Sequence, residues 1–543
     1  MIVDVTEQPP EESALKAEML IKRFNNANQR RQNWTSIWED CYDFTLPQRS
    51  GFQSTLTPGR PRTNQIFDAT AMDAAEQLAA SLLGQLTPSW SQWFGLKPGP
   101  DLSPAEADAL APVLEQAAKT IQAHFDRSNF AVEIHQCYLD LVVGGTASLS
   151  FEETDPGGFS AFRFQAIPLT QIVLEEGTSG YLDGAYHLSE MTLDEIASRY
   201  PFAEIPSQVL QKASQDPQTT FEVLETVLPE EMGYDYNALL VEQKNNPILL
   251  KSGRFNSSPI ISFRWLKSPG EIYGRSPVMK ALPDIKTANK VVELVLKNAS
   301  ISVTGIWQAD DDGILNPANI DLTPGSIIPK AVGSRGLQPL TMPGSFDVSQ
   351  LMLDKLQARI RHALLADRLL PATGPARTAT EILERSAQIS MLLGATYGRL
   401  QTELLTPLIQ RAFAILRRRG EVPDVALDGR LVSVDYRSPL AQAQGQRNVQ
   451  NVLNWVSSVS AMGPEAALTV NFPATARYIG ESLGVPSDLI RNENPLDLIG
   501  DVIAEVDETL QNGAQNQSES GTDQQDEMPE IMAEPQAENE SET

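Results

Sequence analysis

Two long amphipathic helices separated by a turn-rich insertion are the feature that most narrows what this chain can fold into. The first helix is predicted over Pro283 to Val303, where Ile285, Ala288, Val292, Val295 and Ala299 make one apolar stripe. Lys286, Lys290, Glu293 and Lys297 follow at spacings of 4, 3 and 4, a second and polar stripe. At about 1.5 Å per residue this helix would be roughly 30 Å long. The second is predicted over Val348 to Ala366, with Leu353, Leu356, Ile360 and Leu364 inward and Lys355, Arg359 and His362 on another face. Between them, residues 304–346 carry Asp310-Asp311-Asp312-Gly313, Asn316-Pro317, Pro324-Gly325 and Pro343-Gly344, turn chemistry that stops either helix from running on. Short strands are expected there at Gly305 to Gln308 and Ser326 to Ile328. The pattern reads as a hairpin-like stalk with a small module at its tip.

A loop with Pro371, Gly374 and Pro375 follows, from Asp367 to Arg377. Thr378-Ala379-Thr380-Glu381 then has the spacing of a capping box, opening a helix to about Arg419. Pro407 removes one i→i−4 hydrogen bond from that helix, so a kink or break is expected there. Arg417 to Arg419 and Gly420 suit its C-terminus.

The N-terminal half is mixed. Helices are predicted over Ser13 to Phe44, Asp68 to Leu86, Leu110 to Phe125 and Ala131 to Val143. Strands follow at Thr146 to Phe151, Ala161 to Ile167, Gln171 to Leu174, Phe221 to Leu228, Ala238 to Glu242 and Ile260 to Trp265. Towards the C-terminus a strand at Leu431 to Tyr436 precedes helices at Val449 to Val459, Ala474 to Leu483 and Leu496 to Leu510. The fold class is α+β, in several subdomains, since 543 residues exceed what one core organises.

A formal charge of −28 argues at first against a nucleic-acid partner, but the charge is unevenly placed. Residues 351–420 hold 11 Lys/Arg against 5 Asp/Glu, while residues 511–543 hold 9 acidic residues and no basic one. That last stretch has too few large apolar side chains to fold alone and reads as a disordered acidic tail. Two cysteines, Cys41 and Cys137, build no disulfide framework or Cys-based zinc site, which suits maturation in a reducing cytoplasm. No basic n-region opens the sequence and no apolar run reaches 18 residues, so neither secretion nor membrane spanning is expected.

Catalytic signals are poor. His124, His135, His187 and His362 are the only histidines, and HExxH, GxSxG, Walker A and GxGxxG spacings are absent. His135 and Cys137 lie two apart, which on a helix keeps them from facing each other. The Asp310–Gly313 run lacks the Glu at the twelfth position of an EF-hand and reads as a solvated turn. No catalytic residue, metal or cofactor is therefore expected. The polar stripe on the first long helix reads, by periodicity alone, as a solvated face before it reads as a DNA contact, since most helices have such a face.

Several blocks in order resemble the portal (head-to-tail connector) proteins of short-tailed phages, the podoviruses. They are Ile66 to Gly84, Leu86-Thr87-Pro88, Trp93 to Leu96, Gly145 to Leu149, Ile167-Pro168-Leu169, Met191-Thr192, Tyr273 to Asn289, Pro324 to Ile328 and Thr378 to Glu381. Tyr273 to Asn289, at the entry to the first stalk helix, is the most specific; the tail beyond about residue 511 lies outside the resemblance.

The resemblance implies a portal-type fold assembled as a ring of twelve. Carried onto this chain, residues 1–270 are the N-terminal part of the wing, 271–303 and 348–366 the stem helices, and 304–347 a β-containing clip. Residues 367–377 become a tunnel loop facing the lumen, 378–440 a long helix returning to the wing, and 441–510 a helical crown. The implied role is a ring at one capsid vertex through which double-stranded DNA is packaged and ejected. Its implied partners are capsid and scaffolding proteins, terminase, and tail adaptor and nozzle proteins, in a virion made in the host cytoplasm. DNA must slide, so phosphate contacts from Lys286, Lys290, Lys297, Arg359, Arg368 or Arg377 would be weak and blind to sequence. Thr378 and Glu381 would only cap a helix. Val291, Leu294 and Leu296, apolar beside the main stripe, call for burial against other copies. A terminase or nuclease would need a phosphate loop or clustered carboxylates, and neither is present.

Overall fold

The computed structural model describes residues 10–52, 63–231, 233–241, 247–304, 307–308, 338–339, 346–369, 394, 396–463, 466, 469–483 and 485. They fall into a larger unit that runs to Leu453 and a small helical one drawn from Asn454–Glu481. In chain order come α1 (Pro10–Thr45), α2 (Thr70–Leu86), β1 (Phe94–Pro98), α3 (Pro104–Arg127), α4 (Phe130–Gly144), β2 (Thr146–Glu153), β3 (Phe162–Ile167), β4 (Ile172–Glu175) and β5 (Gly184–Thr192). Next are α5 (Leu193–Arg199), α6 (Ser207–Gln215), β6 (Thr220–Glu230), β7 (Gly233–Leu240), β8 (Ile248–Phe255), β9 (Ile260–Arg264), α7 (Pro277–Thr304), β10 (Trp307–Gln308) and β11 (Gln338–Pro339). The order ends with α8 (Phe346–Ala363), α9 (Ala366–Leu369), α10 (Thr406–Arg419), β12 (Val432–Tyr436), α11 (Pro439–Ala461) and α12 (Phe472–Leu483). The α+β expectation is met by the mixture of helix and sheet.

Local chemistry explains the element ends. Ser103 accepts from the Glu106 amide while the Glu106 carboxylate accepts from Ser103, a capping box with Pro104 at the first helical position of α3. Gly145, at φ 78°, turns α4 sharply into β2. β4 to β8 form an antiparallel meander in sequence order, and β2 is the centre of a β3-β2-β9 sheet. The meander is covered on both faces. Val173, Tyr186, Leu224 and Leu239 pack with Ala17, Leu20 and Ile21 of α1, while Val223, Val227, Ala238 and Leu240 join the main core. That core is led by Trp38, Tyr42, Trp93 and an aromatic group of Phe125, Phe130, Phe151, Phe162 and Phe164.

Several expectations need correcting. β5, β8 and β1 were not anticipated; β1 is the Trp93–Leu96 block, paired with β12 through Phe94 and Tyr436. The first long helix begins at Pro277 rather than Pro283, because Ser276 caps it, accepting from the Met279 amide at 2.9 Å, and Pro277 suits the first position. The second ends at Ala363 rather than Ala366: Leu365 takes φ 59°, a conformation that disfavours a side chain by roughly 1–2 kcal/mol. Before Pro407 the helix opens into a π turn, Gln401–Leu405, since proline cannot donate to the Glu403 carbonyl. The strand expected at Ser326–Ile328 and the elements expected over residues 370–381 and 496–543 lie outside the described residues.

Candidate functional site

Two of the blocks that carry the resemblance, Gly145 to Leu149 and Tyr273 to Asn289, meet at the root of the α7–α8 hairpin. Gly274 and Gly145 cross there with almost no space between their backbones: a Cβ on Gly274 would stand 2.2 Å from the Gly145 carbonyl oxygen, and one on Gly145 2.4 Å from that of Gly274. The Gly274 amide donates to Thr146 Oγ1 (2.8 Å), the Trp265 amide to the Gly145 carbonyl (2.9 Å) and the Arg275 amide to the Leu266 carbonyl (2.7 Å). Tyr273 is buried and its hydroxyl accepts from the Leu174 amide. The specific block is thus a welded joint between sheet and helix.

Arg264, fully buried, completes the joint. Its guanidinium donates to the carbonyls of Ile272 (3.0 Å) and Gly180 (2.9 Å) and to Glu403 Oε1 (2.7 Å), while its amide donates to Glu403 Oε2 (2.9 Å). Arg399, one turn before Glu403, donates to the same carboxylate at 3.1 Å. The π turn is therefore bonded to the segment that enters α7.

Above the joint the hairpin changes character. Val278, Ala281, Leu282, Ile285 and Ala288 are buried, as are Leu356 and Ile360 of α8 and Leu364 just beyond it. Asn289 ties the preceding segment on: its Oδ1 accepts from the amides of Phe67 (2.6 Å) and Asp68 (3.2 Å), and its Nδ2 donates to the Gln65 carbonyl (2.9 Å). From Lys290 to Ser300 no residue of α7 is buried. Leu294 is 54% exposed, Leu296 53%, and on α8 Leu351 and Met352 are 58% and 59% exposed.

Of the expected basic residues, Lys286, Lys290, Lys297 and Arg359 are each engaged by a carboxylate. Lys286 is bonded to Asp40 of α1 (2.7 Å) and lies over the Phe44 ring. Lys290 and Lys297 both grip Glu293, at 2.9 and 2.6 Å, and these hydrogen bonds, that from Lys297 foremost, hold its carboxyl below the usual range. Arg359 crosses to Asp284 of α7 at 3.0 Å. Lys290, Lys297 and Arg359 remain largely exposed, at 62%, 65% and 68% of their side chains. Arg368 belongs to α9, and nothing is described of its side chain; Arg377, Thr378 and Glu381 lie outside the described residues. Sequence reasoning missed Asp40, Asp284, Arg264 and Asn289, whose partners are distant in the chain; only Ser276-Pro277 carried a local signal.

Cys137 is buried beside β2, its thiol donating to the Ser148 carbonyl, and burial pushes its pKa well above the ordinary value, as suits a packed rather than a nucleophilic thiol. Among the described residues no group of three or more His, Cys, Asp and Glu side chains is placed to hold a metal ion, and no helix is long and apolar enough to cross a membrane.

A rigid mixed body carrying a two-helix projection with bare apolar sides defines an assembly component. The family model described as "Bacteriophage head to tail connecting protein" matches residues 17–490, and the chain belongs to that family. It is 24% identical over 525 residues to the "Probable portal protein" of Bordetella phage BPP-1, covering 92% of this chain and 93% of that one. It is also 24% identical to the "Portal protein" of Salmonella phage epsilon15 (87% and 88% covered) and 22% identical to that of Escherichia phage T7 (71% and 72%).

Proposed function

We propose that this head-to-tail connector works as one subunit of a closed ring, twelve by family resemblance, around a channel for double-stranded DNA at one capsid vertex. The observation that supports it most directly is the outer half of the hairpin, where Leu294, Leu296, Leu351 and Met352 stand in water in a single subunit. Repetition around an axis would cover them, one copy against the next. In this reading residues 1–270 and 378–440 are the wing, α7 and α8 the stem, 304–347 the clip, 367–377 the tunnel loop, 441–510 the crown, and 511–543 a disordered acidic tail. Terminase docks for packaging; capsid and scaffolding proteins meet the wing, and tail adaptor and nozzle proteins the clip.

The channel is electrostatic and mechanical. Lys290 and Lys297 share Glu293 and Arg359 is paired with Asp284, so a belt of them attracts phosphate weakly enough for DNA to move. Lys286, held by Asp40, is the weakest of the candidates; Arg368 and Arg377 would form belts nearer the loop. Native mass spectrometry and negative-stain microscopy of the purified chain test the reading. Closed rings with a central hole are expected; only monomers at micromolar concentration overturn it.

A further inference from the structure

Two features of the larger unit present side chains to solvent beyond the core and the hairpin joint on which they rest. The first is a cleft of about 480 Å³ between α1 and the turn that leads into α7. Trp34, Ile37 and Ile272 give it an apolar floor, and Arg30 and Arg275 stand at its rim. Arg275 is held ready: its guanidinium lies 5.2 Å from the Trp34 ring centre and is clamped by Glu271 through bonds of 2.9 and 2.5 Å. Arg30 is exposed and has no ion-pair partner among the described residues. Two guanidiniums against one carboxylate leave the cleft cationic, on a chain whose formal charge is −28.

The second feature is a projection. The Ala203 amide donates to the Tyr200 carbonyl at 3.0 Å, closing a β-turn with Pro201 at its second position. That turn holds Phe202 98% exposed, with Glu204 exposed two residues on. Its base is bolted down. Arg199 bridges Glu152 and Glu225 at 3.0 Å each, and the buried Tyr200 hydroxyl donates to Glu225 at 2.9 Å. A rigid support thus presents an aromatic ring and a carboxylate to solvent, the complement of an aromatic, cationic cleft.

We propose that Phe202 and Glu204 of one copy dock into the Arg30–Trp34–Arg275 cleft of the next, which rests on the ring reading above. The ring of Phe202 lies against Trp34 and the Arg275 guanidinium, and Glu204 pairs with Arg30. Joining two different patches makes a heterologous contact, the kind that rotation closes into a ring. Aromatic and arginine anchors seated in pockets are also where interface energy concentrates.

A Phe202→Cys, Asn33→Cys double variant tests the contact, since both native cysteines are buried and do not compete. After oxidation of the assembled protein, a ladder of covalent multimers is expected on a non-reducing gel, absent from either single variant. Native mass spectrometry of the same preparation reads the ring independently. Rings without a ladder overturn the docking and leave the ring reading standing; a monomeric wild type overturns the ring reading. In parallel, Glu204→Arg should raise the concentration needed for half-assembly at least tenfold, and adding Arg30→Glu should restore it. Unchanged assembly in Glu204→Arg also overturns the docking.

Discussion

Gly274 carries its meaning in an atom it lacks. Any side chain there would drive a carbon into the Gly145 carbonyl, which is backbone and cannot step aside. Gly274→Ala should therefore lower unfolding free energy by roughly 3 kcal/mol, as overpacking of a tight contact does. Chemical denaturation checks it; a loss below about 1 kcal/mol would mean that the joint is soft. Lys290 is the opposite case. Its exposed i,i+3 pair with Glu293 is worth a few tenths of a kcal/mol, so Lys290→Ala should leave the denaturation midpoint unchanged. If Lys290 faces DNA, the same variant weakens DNA retention in filled particles and flattens its salt dependence. Altered stability with unchanged retention would make it a structural residue. The sequence displayed the lysine stripe through its spacing, but not Asp40 or Asp284, because partners brought together by tertiary packing leave no local pattern.

Elements with a one-sided apolar stripe were legible, among them α2, α7 and α8. The meander was legible only in part, because both its faces are buried and the period-two alternation that marks a half-exposed strand is lost. Helix α10 shows a further limit: its triple arginine reads as a C-terminal signal, yet Arg418 and Arg419 reach Glu153 at the end of β2, at 2.8 and 3.1 Å. Burial opposes the charge on Glu153, but favourable contacts, the hydrogen bonds from Arg418 and Arg419 the largest of them, outweigh it and hold the carboxyl at about 2, from an ordinary 4.5. A lowered carboxyl stabilises the fold above its ordinary value and loses that contribution as pH falls towards the folded one. Stability should thus decline between about pH 4.5 and 2, more steeply than in an Arg418→Ala, Arg419→Ala variant. Denaturant midpoints at pH 7, 4 and 3 measure this, and parallel curves for the two proteins would refute it. Glu225, buried and well below the usual carboxylate range against burial through bonds from His187, Arg199 and Tyr236, adds to the slope in both proteins, so only the difference belongs to α10.

For the whole molecule, the question is which surfaces the assembly needs. The acidic stretch beyond Gln511 has little to bury, so truncation there should leave solubility and ring formation intact, and a chain that no longer assembles would mark the tail as structural. The outer hairpin should behave in the reverse way. Leu294 and Leu351 are more than half exposed in the subunit, so replacing both with Asp removes no core contact and should leave circular dichroism and the monomer's unfolding midpoint near wild type. In a ring, each leucine covered by a neighbour contributes about 1.5–3 kcal/mol, and two together correspond to at least a 100-fold shift in the concentration for assembly, roughly. Added repulsion between carboxylates repeated around the axis enlarges it. Light scattering over a dilution series separates the cases. Folded monomers where the wild type forms rings are the expected result, whereas rings persisting at wild-type concentrations would mean that these leucines face the channel or solvent and that subunits are joined elsewhere.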